Sequence, residues 1–140
     1  MVVSATTRSP TFSFATLSPT AETRPAVMFV LLNPSTADTV KPDPTTTRCI
    51  GFADRNGFGA LIICNLYAYR TPFPEDLAAA ARDRVDIVGP ENEKYLRTVL
   101  NELKVGLPPE TAPTVIVGWG AAEGTETRFV LRALRTVRLL

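Results

Sequence analysis

Two apolar runs constrain the fold of this chain more than any other feature of its sequence. Residues 27–32 and 60–66 are apolar at almost every position, and each run has the length of a β-strand rather than a helix. A strand that is apolar on both faces must be covered on both sides, which is typical of parallel sheets. The two runs therefore predict a central sheet with helices packed on both faces.

Helical patterns alternate with these strands. Asp43 is a good N-cap, Pro44 suits the first position of a helix, and Gly57 is placed to end it. Further helices are predicted over residues 76–84, 89–103 and about 125–137, with a third strand at 115–117. This alternation predicts a three-layer α/β sandwich with a mainly parallel central sheet, in which residues 26–140 form one domain.

Residues 1–25 differ from the rest of the chain. They carry three prolines and little apolar periodicity, so we interpret them as a partly irregular N-terminal arm in which residues 11–14 add an edge strand. They contain no continuous apolar core of the kind found in signal peptides. No run in the chain approaches the roughly 20 apolar residues of a membrane-spanning helix. We therefore expect a cytoplasmic protein with no membrane partner.

Composition excludes several kinds of chemistry. The 140 residues include no histidine and only two cysteines, which removes Ser-His and Cys-His catalysis and leaves no usual ligand set for zinc. We interpret Cys49 and Cys64 as buried free thiols, and we expect no metal and no cofactor. The formal net charge is +1. The chain therefore cannot coat nucleic acid by charge alone, although a local basic patch stays open.

Three polar or glycine-rich segments follow the three predicted parallel strands. They are residues 33–38, 65–70 and 118–124. Ligands of open α/β sheets bind outside the carboxyl ends of the strands. We therefore predict that any binding site of this chain is built from these segments.

The first segment contains Asn33, Pro34, Ser35, Thr36 and Asp38. The amide of Asn33 offers both a donor and an acceptor just past a buried strand, so it could bind a planar amide-like ligand or hold a water. The same residue types also cap turns and satisfy the backbone of loops. The spacing leaves both interpretations open.

The second segment carries Asn65, Tyr67 and Arg70. An asparagine can pair with the edge of a pyrimidine, an aromatic ring can stack on it, and an arginine can bind a phosphate. The alternative is structural: the asparagine closes the strand end, the ring fills the edge of the core, and Arg70 pairs with Asp38 or Asp43.

The third segment begins with Gly118, Trp119 and Gly120. The glycines allow close approach of a backbone or ligand, while the tryptophan is equally open to simple packing. On the first predicted helix, Arg48 and Arg55 are candidates to grip a phosphate. The alternative for these two arginines is an exposed, solvated helix face.

Five short motifs carry a resemblance to a known family. NPSTAD at 33–38, DPTTTRC at 43–49, NLYAYR at 65–70, VGPEN at 88–92 and GWG at 118–120 resemble, in this order, the signature of an uncharacterised bacterial domain family. The resemblance covers about residues 28–135. It implies membership of that family and no established activity.

A second resemblance is to the uracil-DNA glycosylase superfamily. Its members carry N-P at the end of the first strand, an asparagine near the end of the second, and WG or LG after the third. The resemblance implies that Asn33 orients the attacking water, that Asn65 reads the pyrimidine edge, and that residues 118–120 approach the nucleic-acid backbone. Glycosylases flip a base into a pocket, which suits such a set of groups. Where an aromatic residue normally follows the first motif, this chain has Ser35 and Thr36.

Both families normally continue past the last helix into a further strand and a loop carrying His-Pro, whereas this sequence stops at Leu140. We therefore expect the last strand to be missing. In glycosylases the histidine stabilises charge on the departing base, and one such donor contributes about 3 kcal/mol.

These observations predict a glycosylase-like domain. It would bind a pyrimidine base or nucleotide, free or in single-stranded DNA, and N-glycosidic bond hydrolysis would be its activity. One alternative is a non-catalytic module that binds nucleotides or nucleic acid. The other is a protein-interaction domain that forms a homodimer through an open sheet edge.

Overall fold

A computed structural model of the chain describes residues 4–9, 12–16, 24–34, 43–105, 107–120, 132–133, 135–136 and 138. The elements in chain order are β1 (Ser4–Ser9), β2 (Phe12–Thr16), β3 (Ala26–Leu31), α1 (Pro44–Arg55), β4 (Ala60–Asn65), α2 (Pro74–Arg82), α3 (Asn92–Lys104) and β5 (Thr114–Gly118). Residues 132–133 and 135–136 are also helical. They lie within the helix predicted over 125–137, most of which falls outside the described residues.

The strands form one five-stranded sheet in the order β1-β2-β4-β3-β5. Strand β3 pairs in parallel with β4 on one side and with β5 on the other. Strands β1 and β2 form an antiparallel hairpin that extends the sheet beyond β4. The prediction of an α/β fold with a mainly parallel sheet is confirmed.

Both faces of the parallel strands are covered by helices. One face packs against α1, and the residues of this layer are Val27, Phe29, Leu61 and Ile63 with Cys49, Ile50 and Ala53. The other face packs against α2 and α3, and this layer includes Met28, Val30, Ile62 and Cys64 with Leu77, Ala80, Ala81, Leu96 and Val99. Alternate residues of each strand thus enter two different layers, which explains why β3 and β4 are apolar throughout.

Helix α1 begins and ends where its sequence predicts. The Asp43 side chain accepts a hydrogen bond from the backbone N–H of Thr46 at 2.6 Å, and proline occupies the first turn. At the other end Gly57 has a φ of +78°, a conformation that glycine adopts without strain. The N–H of Gly59 then donates to the carbonyl of Pro25 at 3.0 Å, which places the end of α1 beside the start of β3.

Helix α2 begins two residues earlier than predicted, at Pro74, and ends at Arg82. Proline is favoured in the first turn of a helix, because N–H groups there have no acceptor within the helix and the absence of one breaks no hydrogen bond. The predicted end at Arg84 is wrong because this residue has a φ of +62°, which lies outside the helical region. No helix in the described ranges is long and apolar enough to cross a membrane.

The N-terminal residues contribute more strand than their sequence predicts. In place of one edge strand at residues 11–14, a hairpin is present, with β1 at the edge and β2 between β1 and β4. The sequence of β1 is SATTRS, which lacks the apolar alternation of a half-buried strand. Whether a segment forms a strand depends strongly on the residues of the neighbouring strand. The pairing of β1 with β2 cannot be seen in the local sequence of β1.

Both cysteines are free and buried, as their sequence context predicts. Burial raises the pKa of the Cys64 thiol to about 12. Burial, and to a smaller extent the nearby charge of Asp43, raises the pKa of the Cys49 thiol. A thiol held in this way is protonated and shielded near neutral pH, so it is a weak nucleophile.

We expect neither thiol of the folded protein to react with Ellman's reagent at pH 8. With a pKa of about 12, only about one Cys64 thiol in 10,000 is ionised at that pH, and burial excludes the reagent. The absorbance of the released chromophore measures the reaction. In guanidinium chloride the same protein should release two equivalents, one for each cysteine. A rapid equivalent from native protein would contradict the burial described above.

Candidate functional site

The carboxyl ends of the three parallel strands lie side by side. Leu31 of β3 is level with Asn65 of β4 on one side and with Gly118 of β5 on the other. From this edge, β3 leads to α1 on one face of the sheet, whereas β4 leads to α2 on the opposite face. Such a divergence opens a crevice between the loops, where ligands of open α/β sheets bind.

The sequence-predicted residues are brought to this edge in part. Asn33 and Pro34 follow β3 directly, Asn65 ends β4, and residues 118–120 end and follow β5. Ser35, Thr36 and Asp38 lie outside the described residues.

The side chain of Asn33 ties the loop after β3 to the loop after β4. Its Nδ2 donates to the carbonyl of Thr71 at 2.8 Å, to that of Tyr69 at 3.3 Å, and to that of its neighbour Pro34 at 3.2 Å. The N–H of Thr71 returns a bond to the carbonyl of Pro34 at 3.1 Å. The nitrogen of this amide is therefore committed to the backbone, and within the described ranges no donor meets its Oδ1.

A second asparagine, Asn92 at the start of α3, performs a similar role. Its side chain is buried, and its Nδ2 donates to the carbonyl of Asn65 at 3.1 Å and to that of Leu66 at 2.8 Å. These are the last residue of β4 and the residue after it. Sequence reasoning assigned Asn92 to a motif but gave it no role. An asparagine between a Gly-Pro turn and an apolar helix was the available signal.

The loop after β4 also packs closely against the segment before α3. The N–H groups of Ala68 and Tyr69 donate to the carbonyls of Val88 and Ile87 at 3.2 and 3.1 Å. Gly89 has a φ of +81°, and a Cβ atom added to it would lie 2.8 Å from the Cβ of Ala68. The Ala of NLYAYR and the Gly of VGPEN therefore meet at a contact with no room for a larger side chain.

The aromatic candidates at this edge are packed. Tyr67 is only 3% exposed and belongs to the core layer beneath α2 and α3. Trp119 is partly buried and packs against the same layer. These positions agree with the packing alternative for both rings. Arg70, in contrast, has an exposed side chain.

Gly118 is a position of close approach. A Cβ atom on Gly118 would lie 3.0 Å from Cδ2 of Leu31 on the neighbouring strand, which is tighter than ordinary van der Waals contact. Gly120 has a φ of +85° and an open surrounding. The glycines of GWG thus serve strand packing at one position and a left-handed turn at the other.

The two arginines predicted on α1 lie far apart along the helix. Arg55 is in the last turn, where its guanidinium folds back over Gly51, and this end of α1 adjoins the start of β3. Arg55 is therefore not brought together with the residues at the carboxyl edge. Arg48 is exposed and lies seven positions earlier, about 10 Å closer to that edge along the helix axis.

A charge cluster that sequence reasoning did not find surrounds Glu93 on α3. Its Oε1 lies 3.3 Å from Nη2 of Arg97, and its Oε2 lies 3.0 Å from Nη2 of Arg135 and 3.6 Å from Nη1 of Arg132. The hydrogen bond from Arg97, and next the charge of Arg135, lower the pKa of Glu93. We call these four residues the Glu93 cluster. A glutamate in a first helical turn is favoured by the helix dipole without any partner, so sequence pattern alone does not indicate the cluster.

Arg132 links this cluster to the sheet edge. Its Nε lies 3.4 Å from the carbonyl of Leu66, and its side chain is 11% exposed. Its Nη2 and the Oγ1 of Thr136 are buried and have no hydrogen-bond partner among the described residues. A buried donor without an acceptor costs about 1–3 kcal/mol, and more when the group is charged.

The described side chains form no group of three or more His, Cys, Asp or Glu residues that could hold a metal ion. Glu93, in the first turn of α3, is instead paired with arginines.

Fold and edge together define a class: a three-layer α/β domain in which β3 lies between the parallel strands β4 and β5 and the edge loops are tied by asparagine side chains. Within this class the chain belongs to DUF1643, a family described as proteins of unknown function, which matches residues 16–140. The predicted membership of an uncharacterised domain family is confirmed. Comparison with curated proteins and with solved structures gave no match.

Replacing Gly89 by alanine should lower the free energy of unfolding by about 2 kcal/mol more than replacing Gly57. Both glycines have a φ near +80°, so both variants carry the left-handed strain of about 1–2 kcal/mol. Only at Gly89 does the new Cβ meet another atom, that of Ala68, which adds an overpacking cost. Urea denaturation measures both variants. Equal losses would show that the Ala68 contact is not tight.

Replacing Asn92 by aspartate should lower the free energy of unfolding at pH 7 by about 3 kcal/mol or more, because the buried carboxylate would face two carbonyl oxygens. The exposed Asn101 on the same helix provides the matched control, and its change to aspartate should cost within about 0.5 kcal/mol.

Protonation gives the carboxyl of the Asn92→Asp variant one donor. Its folded-state pKa is therefore raised, and its stability should rise relative to wild type as the pH falls below 7. Denaturant titrations at several pH values test this. A loss that does not change with pH would contradict the assigned contacts.

Proposed function

We propose that this chain binds a pyrimidine base or nucleotide, free or in single-stranded DNA, at the carboxyl edge of its parallel strands. One observation carries the proposal: the end of β4 and the end of β5 flank the end of β3 at the same level, at the point where the loops diverge to opposite faces. This is the position at which open α/β sheets bind ligands.

The polar groups at this edge suit a base. A pyrimidine edge presents N–H donors and carbonyl acceptors close together, and an asparagine amide can pair with it. The three carbonyl contacts of the Asn33 nitrogen hold its side chain in place. A group fixed beforehand loses little conformational freedom on binding, which supports Asn33 Oδ1 as an acceptor for a ligand or a water.

The backbone at the end of β5 suits a ligand that lies across the edge. Gly118 and Gly120 are exposed and carry no side chain that would block access to their backbone. Asn65, on the other side of β3, is held at its carbonyl by Asn92. A base placed beside β3 would thus have the end of β4, held at its backbone by Asn92, on one side and accessible backbone on the other.

The resemblance to uracil-DNA glycosylases adds a reaction to this proposal. In N-glycosidic hydrolysis a water attacks the anomeric carbon of the sugar, the C–N bond breaks, and the base leaves with a proton. Asn33 would orient the water through its Oδ1, and Asn65 would hold the base.

Binding without hydrolysis is the second candidate. The nitrogen of Asn33 is already bonded to backbone carbonyls, so this side chain has no N–H group left to donate to a departing base. In addition, the 140 residues contain no histidine to stabilise charge on a departing base.

A homodimer through the sheet edge remains a separate proposal about assembly. Within the described residues β5 pairs only with β3, and Val117 on β5 is 48% exposed. An unpaired edge of this kind can pair with that of a second copy. Sedimentation velocity that shows only monomer at high protein concentration would contradict the dimer.

We expect pyrimidine nucleosides to raise the melting temperature of this chain more than purine nucleosides do. A ligand at about 100 times its dissociation constant adds about 2.7 kcal/mol to the free energy of unfolding, which a thermal melt resolves. The shift should disappear in an Asn65→Ala variant that still melts cooperatively, and it should persist in Asn101→Ala, which removes an exposed asparagine of α3.

The proposed base site would be contradicted if no pyrimidine raised the melting temperature. It would also be contradicted if pyrimidines raised the melting temperature of the Asn65→Ala variant as much as that of the wild type. Hydrolysis is measured separately, as free base released from a uracil-containing single-stranded oligonucleotide. Binding with no release of base would favour the non-catalytic candidate.

A further inference from the structure

The Glu93 cluster holds more positive charge than its single carboxylate neutralises. Three guanidinium groups, those of Arg97, Arg132 and Arg135, lie within 4 Å of Glu93, so among the described residues of this cluster two positive charges are in excess. The formal net charge of the whole chain is only +1. The local potential here therefore favours an anion.

Two of these arginines are accessible. The side chains of Arg97 and Arg135 are 56% and 67% exposed. A guanidinium carries five N–H donors, and the contact of each with Glu93 is made through Nη2. Both arginines therefore retain donors for a second acceptor, and the carboxylate holds the two groups next to one another.

The third arginine supplies an independent observation. Arg132 is 11% exposed, and its Nη2 is buried without a hydrogen-bond partner among the described residues. Buried donors of this kind are rare because the lost hydration is not replaced. A phosphate oxygen would satisfy such a donor through a charge-assisted hydrogen bond, which arginine forms readily.

The position of the cluster connects it to the proposed base site. Arg132 Nε lies 3.4 Å from the carbonyl of Leu66, and Leu66 directly follows Asn65. Asn92 donates to the same carbonyl and precedes Glu93 in α3. The cluster thus adjoins the end of β4, on the side of the edge where α3 begins.

We infer that the Glu93 cluster binds a phosphate group of the ligand whose base lies at the carboxyl edge. This inference rests on the proposed function and narrows its substrate class: the ligand is a nucleotide or a nucleic-acid strand rather than a free base. Arg97 and Arg135 contact the phosphate from the solvent side, Nη2 of Arg132 donates to it from beneath, and Glu93 keeps the three side chains in place.

The Glu93 cluster is a better candidate phosphate site than the arginines that the sequence alone indicated. Arg55 lies at the opposite end of α1 from the edge, and Arg48 and Arg70 are exposed side chains with no ion pair among the described residues. An isolated exposed arginine binds an anion weakly, because it is solvated and loses side-chain freedom on binding.

Isothermal titration calorimetry at fixed ionic strength tests the inference with four probes: a pyrimidine nucleoside, its 5′-monophosphate, inorganic phosphate and an oligothymidylate. The Arg135→Gln variant should weaken binding of the monophosphate about tenfold, which corresponds to one charge-assisted hydrogen bond. Its affinity for the nucleoside should not change. Arg82→Gln, which removes an exposed arginine at the end of α2, is the matched control and should bind both like wild type.

Failure of the phosphate site and failure of the base site give different results. A nucleoside that binds as tightly as its monophosphate, or an Arg135→Gln variant that behaves like Arg82→Gln, would overturn the phosphate site and leave the base site standing. Inorganic phosphate that binds and is lost in Arg135→Gln, with no binding of the nucleoside, would support the cluster and contradict the base site. Loss in Arg48→Gln alone would overturn the inference by moving the phosphate contact to α1.

Two further results complete the test. If Arg135→Gln does not fold, Arg97→Gln is measured in its place, since Arg97 is also exposed, with the same expected weakening. For oligothymidylate, the logarithm of the binding constant should fall with log[salt] by about 0.7 for each phosphate contact. Such a dependence would identify a strand as the source of the phosphate. A monophosphate that binds while the oligonucleotide does not would identify a free nucleotide.

Discussion

Backbone carbonyl groups at the carboxyl edge of the parallel strands require hydrogen-bond donors, and two asparagine side chains provide them. Asn33 donates to carbonyls of the loop after β4, and Asn92 donates to the carbonyls of Asn65 and Leu66. Buried backbone groups must be paired, so these contacts fix where β4 ends and where α3 begins. The placement of Asn65 and of the Glu93 cluster depends on them.

The five sequence motifs are explained to a large extent by this framework. Each motif supplies at least one residue that caps a helix, ties a loop or allows close packing, and these residues are Asn33, Asp43, Ala68, Gly89, Asn92 and Gly118. Many residues of the signature therefore have a structural role at the carboxyl edge, which does not require any reaction. Arg48 and Arg70 are exposed motif residues that none of these structural contacts explains.

Local sequence pattern predicted the elements whose stability is decided locally or by burial. The apolar runs gave β3 and β4, and the caps at Asp43 and Gly57 gave both ends of α1. What could not be predicted depends on distant partners: Asn33 reaches Thr71 across 38 positions, and Arg132 reaches Leu66 across 66. The same limit applies to β1, which is a strand because β2 pairs with it. It also applies to Arg55: its spacing from Arg48 suggested a shared phosphate site, but it lies in the last turn of α1, away from the carboxyl edge of the sheet.

The carboxyl edge consists of two parts that come from different segments of the chain. Both asparagine ties close within residues 33–92, whereas β5 and Arg132 join from further along the chain. Strand β5 is also less buried than β3 and β4, so in native-state hydrogen exchange we expect the β5 side to open as a smaller cooperative unit while the asparagine-tied part stays folded. Opening of this unit would withdraw Gly118 and Arg132 from the edge together. A ligand that touches both parts would therefore slow exchange on the β5 side more than in β4, and its affinity would include the free energy needed to close that unit.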